Sequence, residues 1–206
     1  MDKIFCLGCS HTCFMPKIPR ASLATILNKH LNGVDFEAVC CGELGIGISH
    51  YTRKKMDFGS GVCVLQKMDI FRHPSPFLPK NTRDKYSFFL ELKHKGEYDL
   101  LDYVRDELSH KMLKEYKLFL SMYKGEFDAI ILWDGTFETI VDNELHGLFD
   151  NVININVEES EYHKYIVERD LLYPIFKLFN RHPNVQYFEE LLCPKIIQIV
   201  REVFSK

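Results

Sequence analysis

The chain has 206 residues, of which 46% are hydrophobic and 27% charged, the usage of a globular domain that buries a core of its own. Lys and Arg total 26 against 29 Asp and Glu, and this formal charge of -3 gives no indication of nucleic-acid binding, which requires basic patches. No apolar run approaches the ~18 residues that span a bilayer, and no secretory signal follows Met1, so we expect a protein without membrane contact.

Short apolar runs alternate with helical patterns along the chain. The runs are rich in β-branched or aromatic residues and predict five strands, at 4–7, 36–40, 62–65, 129–133 and 152–155. Apolar residues at helical spacing predict helices at 22–31, 98–123 and 185–204, the last kinked or divided at Pro194. Strands that alternate with helices predict an α/β fold: a three-layer α/β/α sandwich of flavodoxin-like type with a five-stranded, mostly parallel sheet.

One segment exceeds what a minimal domain of this kind needs. We interpret the chain as a single domain over 1–206 with an inserted lid or helical segment at about 72–125. Its first part, 72–97, contains three prolines and is interpreted as a lid or a subunit contact, because long loops are uncommon unless they are functional or disordered. Phe77, Phe88 and Phe89 would either cover a substrate or pack on the core.

Polar and glycine residues follow the predicted strands. Ligands of open parallel sheets bind beyond the carboxyl ends of the strands, so chemistry is expected there. The sequence Gly-Cys-Ser-His-Thr at 8–12 follows the first strand, and Cys-Gly-Glu at 41–43 follows the second. Gln66 lies at the end of the third strand with Arg72 beyond it, and Asn180 and His182 precede the final helix.

These segments resemble two motifs of the SGNH (GDSL-like) hydrolase superfamily. The turn at 8–12 is similar to the first block of that family in its Gly-Cys-Ser variant, and His182-Pro183-Asn184 is similar to the last block. Gly42 stands where the second block supplies an oxyanion-hole glycine. The five strands come in matching order, so the resemblance covers nearly the whole chain outside the insertion and implies the SGNH type of flavodoxin-like fold.

The resemblance implies a serine esterase, or an O-acyltransferase, that acts through a covalent acyl-enzyme without a cofactor. Ser10 is then the nucleophile and His182 the base that takes its proton, with Asn180 orienting the imidazole. The oxyanion hole would consist of the Ser10 and Gly42 amides and the Gln66 side chain. His11 and Arg72 are candidate substrate contacts, and the expected substrate is a small-molecule or carbohydrate ester, for example an O-acetylated sugar.

Departures from the family pattern keep two alternatives open. Phe179 occupies the position of the family's triad Asp, and no Gly-x-Asn-Asp follows the third strand, which favours a binding or regulatory module for a glycan or a partner protein. The second alternative is a thiol-dependent enzyme that uses Cys9 or Cys13. Seven cysteines without paired clusters predict no metal site and fit free thiols in a reducing, cytoplasmic compartment. The oligomeric state stays open.

Overall fold

Five parallel strands form the centre of the fold, in the order β2-β1-β3-β4-β5. The computed structural model describes residues 2–8, 12, 22–31, 36–42, 47–54, 56–68, 78–80, 82–134, 145, 148–155 and 185–205. The strands are β1 Asp2–Leu7, β2 Phe36–Cys40, β3 Gly61–Lys67, β4 Ala129–Asp134 and β5 Val152–Ile155. Each neighbouring pair is parallel, so the carboxyl ends of all five strands lie at the same end of the sheet.

Helices cover both faces of the sheet. They are α1 Leu23–His30, α2 Ser49–Arg53, α3 Thr82–Lys95, α4 Tyr98–Tyr123 and α5 Cys193–Phe204, and a π-helical turn, Tyr187–Leu192, leads into α5. One core cluster joins the sheet to α1, the π-helical turn and α5, and the other joins its opposite face to α2 and α4. The fold is therefore the predicted three-layer α/β/α sandwich of flavodoxin-like type.

Alternation along the strands assigns side chains to the two faces. Ile4 and Cys6 of β1 belong to the α1 and α5 face, whereas Phe5 and Leu7 belong to the α2 and α4 face. Every residue of β3 is buried, as expected of an interior strand with helices on both sides, while β2 and β5 at the edges are partly exposed.

The strand order reverses direction between β1 and β3. The chain passes from β1 to β2 on one side and then crosses back to β3 on the other. In doubly wound sheets the loops at such a reversal diverge to opposite faces and leave a crevice, which is where ligands bind. The carboxyl ends of β1 and β3 are thus the position in this fold where a site is expected.

The five predicted strands and three predicted helices are confirmed, and within the described residues two further helices were not predicted as separate elements. The helix α2 is only five residues long, too short to show a period. The helix α3 lies in the stretch interpreted as a lid or subunit contact, and its sequence is mostly polar. Pro194 stands in the first turn of α5, directly after the π-helical turn, so the helix is divided where proline lacks the N–H that an uninterrupted α-helix uses. Among the described helices, none has the length and apolar character needed to cross a membrane.

Candidate functional site

The ends of β1 and β3 meet through Gly8, Thr12 and Gln66. Leu7 is in register with Leu65, so the next residues, Gly8 and Gln66, are neighbours on the α1 and α5 face. The Thr12 hydroxyl donates a hydrogen bond of 2.9 Å to Gln66 Oε1, and both side chains are buried. Thr12, four residues after Gly8, therefore lies against the end of β3.

Gly8 makes this close approach possible because it has no side chain. A Cβ atom at this position would overlap Thr12 Oγ1 and would lie 2.6 Å from Gln66 Oε1 and 2.8 Å from Gln66 Cβ. The space over the end of β1 is filled by the threonine and the glutamine instead. The glycine is therefore required by packing, and the signal for it was the strand-then-glycine pattern in the sequence.

The contact with Thr12 also orients the Gln66 amide. Its oxygen faces the Thr12 hydroxyl, so the nitrogen, the end that donates, faces the other way. Gln66 is 1% exposed, so its amide is shielded from bulk water. This geometry is compatible with the predicted role of Gln66 as an oxyanion donor.

The carboxyl ends of β1 and β2 are joined by the Tyr51 hydroxyl. It accepts a hydrogen bond from Gly8 N at 3.1 Å and lies within hydrogen-bond distance of two carbonyl oxygens, Gly8 O at 3.1 Å and Cys41 O at 3.2 Å. Tyr51 is fully buried on α2. Cys41 directly precedes Gly42, which is half-buried, so this hydroxyl contacts the backbone of both segments predicted to carry oxyanion donors.

A second tyrosine hydroxyl holds the end of β3. Tyr116 of α4 accepts from Met68 N at 2.7 Å and donates to Gln66 O at 2.9 Å. The residue between them, Lys67, is buried and is in register with Asp134 of β4. The backbone that carries Gln66 is thus fixed from the α2 and α4 face, while its side chain points to the opposite face.

The π-helical turn is anchored beside Gln66. Trp133 of β4 is in register with Gln66 and packs edge-on against Phe188, with ring centroids 5.8 Å apart. Trp133 is fully buried, and its Nε1 makes no hydrogen bond within the described part of the chain. The start of the last helical segment therefore lies at the same end and face of the sheet as Gln66.

Of the predicted site residues, the structure describes Gly42 and Gln66. Gly42 follows β2 and Gln66 lies in β3, and these two strands are the neighbours of β1 on its two sides. Ser10, His11, Arg72, Asn180 and His182 lie outside the described residues, as do Cys9 and Cys13. The predicted pairing of Ser10 with His182 stays a prediction.

The sequence did not indicate the residues that hold the strands at this end of the sheet. Tyr51 lies on the short helix that showed no period, and Tyr116 looked like one more apolar position of a long amphipathic helix. Their hydroxyls reach backbone groups 43 and 50 residues away along the chain. No local pattern signals such contacts; the one available hint is that a buried tyrosine hydroxyl needs a polar partner.

Four of the five described cysteines are poor nucleophiles. Burial raises the pKa of Cys6 and Cys63 well above the ordinary value, and it raises the pKa of Cys193 to about 12 with a smaller contribution from Glu189. Burial also raises the pKa of Cys41. Because the thiolate is the reactive form, these thiols stay protonated and unreactive at neutral pH. Among the described residues, no three His, Cys, Asp or Glu side chains are grouped as ligands for a metal ion.

We predict that Gly8→Ala destabilises the protein and disturbs the end of β1. The added methyl group meets the Thr12 and Gln66 side chains, and overpacking of this kind costs about 1–3 kcal/mol. Urea denaturation measures the loss. Gly125→Ala is the matched control, because a Cβ atom there meets nothing within 4 Å. Equal stability of the two variants would contradict the close approach at Gly8.

We also predict that Cys193 makes the fold sensitive to alkali. Its raised pKa means that above the ordinary value of 9.0 the unfolded chain releases a proton that the folded chain retains until about 12. The contribution of Cys193 is therefore fully present below pH 9 and is lost as the pH rises towards 12, at up to about 1.4 kcal/mol per pH unit. Urea denaturation of the wild type and of Cys193→Ala between pH 8 and 10.5 measures it, with exposed Cys40→Ala as control. A stability difference between wild type and Cys193→Ala that does not shrink with rising pH would refute this.

Comparison with known proteins does not assign a family. No family model matches the chain, and no curated protein matches it either. The resemblance to SGNH hydrolases therefore depends on the two short motifs at 8–12 and 182–184 together with the strand order. The structure establishes the fold class.

Proposed function

We propose that this protein is a serine esterase or O-acyltransferase of the SGNH type, with Ser10 as nucleophile. The observation that carries the proposal is the meeting of Gly8 and Gln66 at the reversal of strand order, with the Tyr51 hydroxyl on the backbone of Gly8 and Cys41. This arrangement supports an oxyanion hole formed by segments that follow β1, β2 and β3. The proposed substrate is a small-molecule or carbohydrate ester.

The anchoring of the last helical segment supports His182 as the base. Phe188 packs on Trp133, beside Gln66, and Val185 is the first described residue of the last helical segment. His182 precedes Val185 by three residues, which span at most about 11 Å of chain. We therefore expect His182 near the same end of the sheet as the segment that carries Ser10.

In the proposed reaction the Ser10 hydroxyl attacks the ester carbonyl as His182 takes its proton. The negative charge that develops on the carbonyl oxygen is stabilised by the Ser10 and Gly42 amides and by the Gln66 amide nitrogen. Collapse of the tetrahedral intermediate breaks the bond to the alcohol, which leaves with the proton from His182. Water or a second hydroxyl group then takes the acyl group from Ser10 by the reverse sequence of proton transfers.

Asn180 and Phe179 bear on how active the enzyme is. Asn180 can orient a histidine, but it does not stabilise imidazolium as a carboxylate does, and replacement of Asp by Asn in one serine-protease triad costs roughly 10⁴-fold. With Phe179 at the family's Asp position, a binding or regulatory module is the second candidate. The two candidates differ in whether Ser10 reacts covalently.

We predict that Ser10→Ala abolishes hydrolysis of a short-acyl chromogenic ester and labelling by a fluorophosphonate probe, because both require the hydroxyl. Ser60→Ala, at an exposed position of the described chain, is the matched control and keeps wild-type rates. Mass spectrometry locates the labelled residue. Equal reaction of Ser10→Ala and wild type would rule out Ser10, and an unlabelled wild type that still binds a glycan or protein would favour the binding module.

We predict that Gln66→Met lowers kcat by about 100- to 1,000-fold, the usual cost of one lost oxyanion donor. Thr12→Val is the matched comparison. Both variants lose the hydrogen bond between Thr12 and Gln66, but Thr12→Val keeps the amide nitrogen of Gln66. We expect Thr12→Val to lose much less activity than Gln66→Met in steady-state assays. If the two variants lost activity equally, Gln66 would be a structural partner of Thr12 and not a donor to the oxyanion.

A further inference from the structure

We infer that Tyr51 is a positioning residue for the oxyanion hole, an inference that rests on the proposed function. Its hydroxyl contacts the backbone two residues before Ser10, at Gly8, and one residue before Gly42, at Cys41. Ser10 and Gly42 are the two proposed backbone donors. One buried hydroxyl group thus sets the separation of the two segments that carry them.

The backbone at this point needs such a partner. The last ladder bond between the strands runs from Cys41 N to Cys6 O at 2.9 Å. Beyond it β1 and β2 separate, and the polar groups of buried Gly8 and the carbonyl of half-buried Cys41 no longer have partners in the ladder, which is costly for groups shielded from water. A phenol offers one donor and also accepts, so it serves Gly8 N together with one of the two carbonyl oxygens at a time.

Tyr51 is itself held in place by α4. Tyr123 donates from its hydroxyl to Tyr51 O at 3.1 Å, and the Tyr51 ring meets Phe119 edge-on at 6.3 Å. Thr52 donates to Glu115 Oε2 at 2.9 Å. The short helix α2 is therefore fixed against α4 by three contacts, and the position of the Tyr51 hydroxyl follows from the packing of the helical layer.

This arrangement gives the carboxyl-terminal half of α4 a role in the site. Tyr51 reaches the ends of β1 and β2, and Tyr116 reaches the end of β3. Three strands lead to the proposed oxyanion donors. The carboxyl end of each is thus hydrogen-bonded to a tyrosine hydroxyl, and these hydroxyls come from the same face of the sheet. Loss of the Tyr51 hydroxyl leaves β3 held and releases β1 and β2, so it alters the relative position of the donors.

The test compares Tyr51→Phe with Asn151→Ala. The Asn151 side chain donates to Lys124 O and Phe127 O, both at 3.0 Å, so each variant loses side-chain hydrogen bonds to two backbone segments and we expect both to lower the urea midpoint. Asn151 directly precedes β5, at the end of the sheet opposite the proposed site. Tyr51→Phe should lower kcat for a short-acyl chromogenic ester, and the rate of fluorophosphonate labelling, by roughly 10- to 100-fold, as expected when reacting groups are misplaced by about 1 Å. KM should stay near the wild-type value, and Asn151→Ala should keep nearly all of its activity.

Equal activity of Tyr51→Phe and Asn151→Ala, or a rise in KM alone, would overturn the inference. An unreactive wild type would instead contradict the proposed function. Amide hydrogen exchange then decides the positioning contact without any activity: faster exchange at Gly8 in Tyr51→Phe than in Asn151→Ala supports it, and equal exchange in the two variants overturns it. Hydrogen exchange also applies if either variant loses activity through partial unfolding.

Discussion

The constraint on which this structure depends is that buried backbone groups at the ends of parallel strands must find hydrogen-bond partners. Inside the sheet the neighbouring strands supply them, but β1 and β2 separate after Cys41, and the order of strands reverses between β1 and β3. Tyrosine hydroxyls from α2 and α4 supply the missing partners at Gly8, Cys41, Gln66 and Met68. The backbone at the carboxyl end of the sheet, where a ligand is expected to bind, is therefore held in a fixed geometry. That geometry is determined by helices that are distant in sequence.

The two faces of the sheet contribute to the site in different ways. The α2 and α4 face holds the backbone, through hydroxyl groups that are shielded from solvent. The opposite face carries the Gln66 and Trp133 side chains, together with the turn that begins the last helical segment. A site at this edge combines a rigid backbone with side chains oriented by their own contacts, such as that of Thr12 with Gln66. Preorganised donors of this kind are what stabilisation of an oxyanion requires.

The fold by itself does not determine the chemistry, because flavodoxin-like sheets support many unrelated functions. The proposed nucleophilic catalysis depends on three features. These are the Gly-Cys-Ser turn, the His-Pro-Asn segment before the last helix, and the contact between neighbouring strand ends. The thiols of Cys6, Cys63 and Cys193 lie in the core with raised pKa values, so they contribute to packing and not to reactivity. The alternative thiol mechanism uses Cys9 or Cys13, which lie outside the described residues.

The sequence by itself determined the strands, the three amphipathic helices α1, α4 and α5, and the three-layer fold, because apolar periodicity records which face of each element is buried. It also indicated which residues lie at the carboxyl ends of the strands, Gly42 and Gln66 among them, since parallel strands bring these ends together. Only the tertiary structure decided how those ends are held. The contact of Thr12 with Gln66, the Tyr51 bond to Gly8 and the Tyr116 bond to Gln66 join residues 43 to 54 positions apart, and no local pattern encodes them. Nor did any period mark α2, whose five residues are positioned by packing against α4.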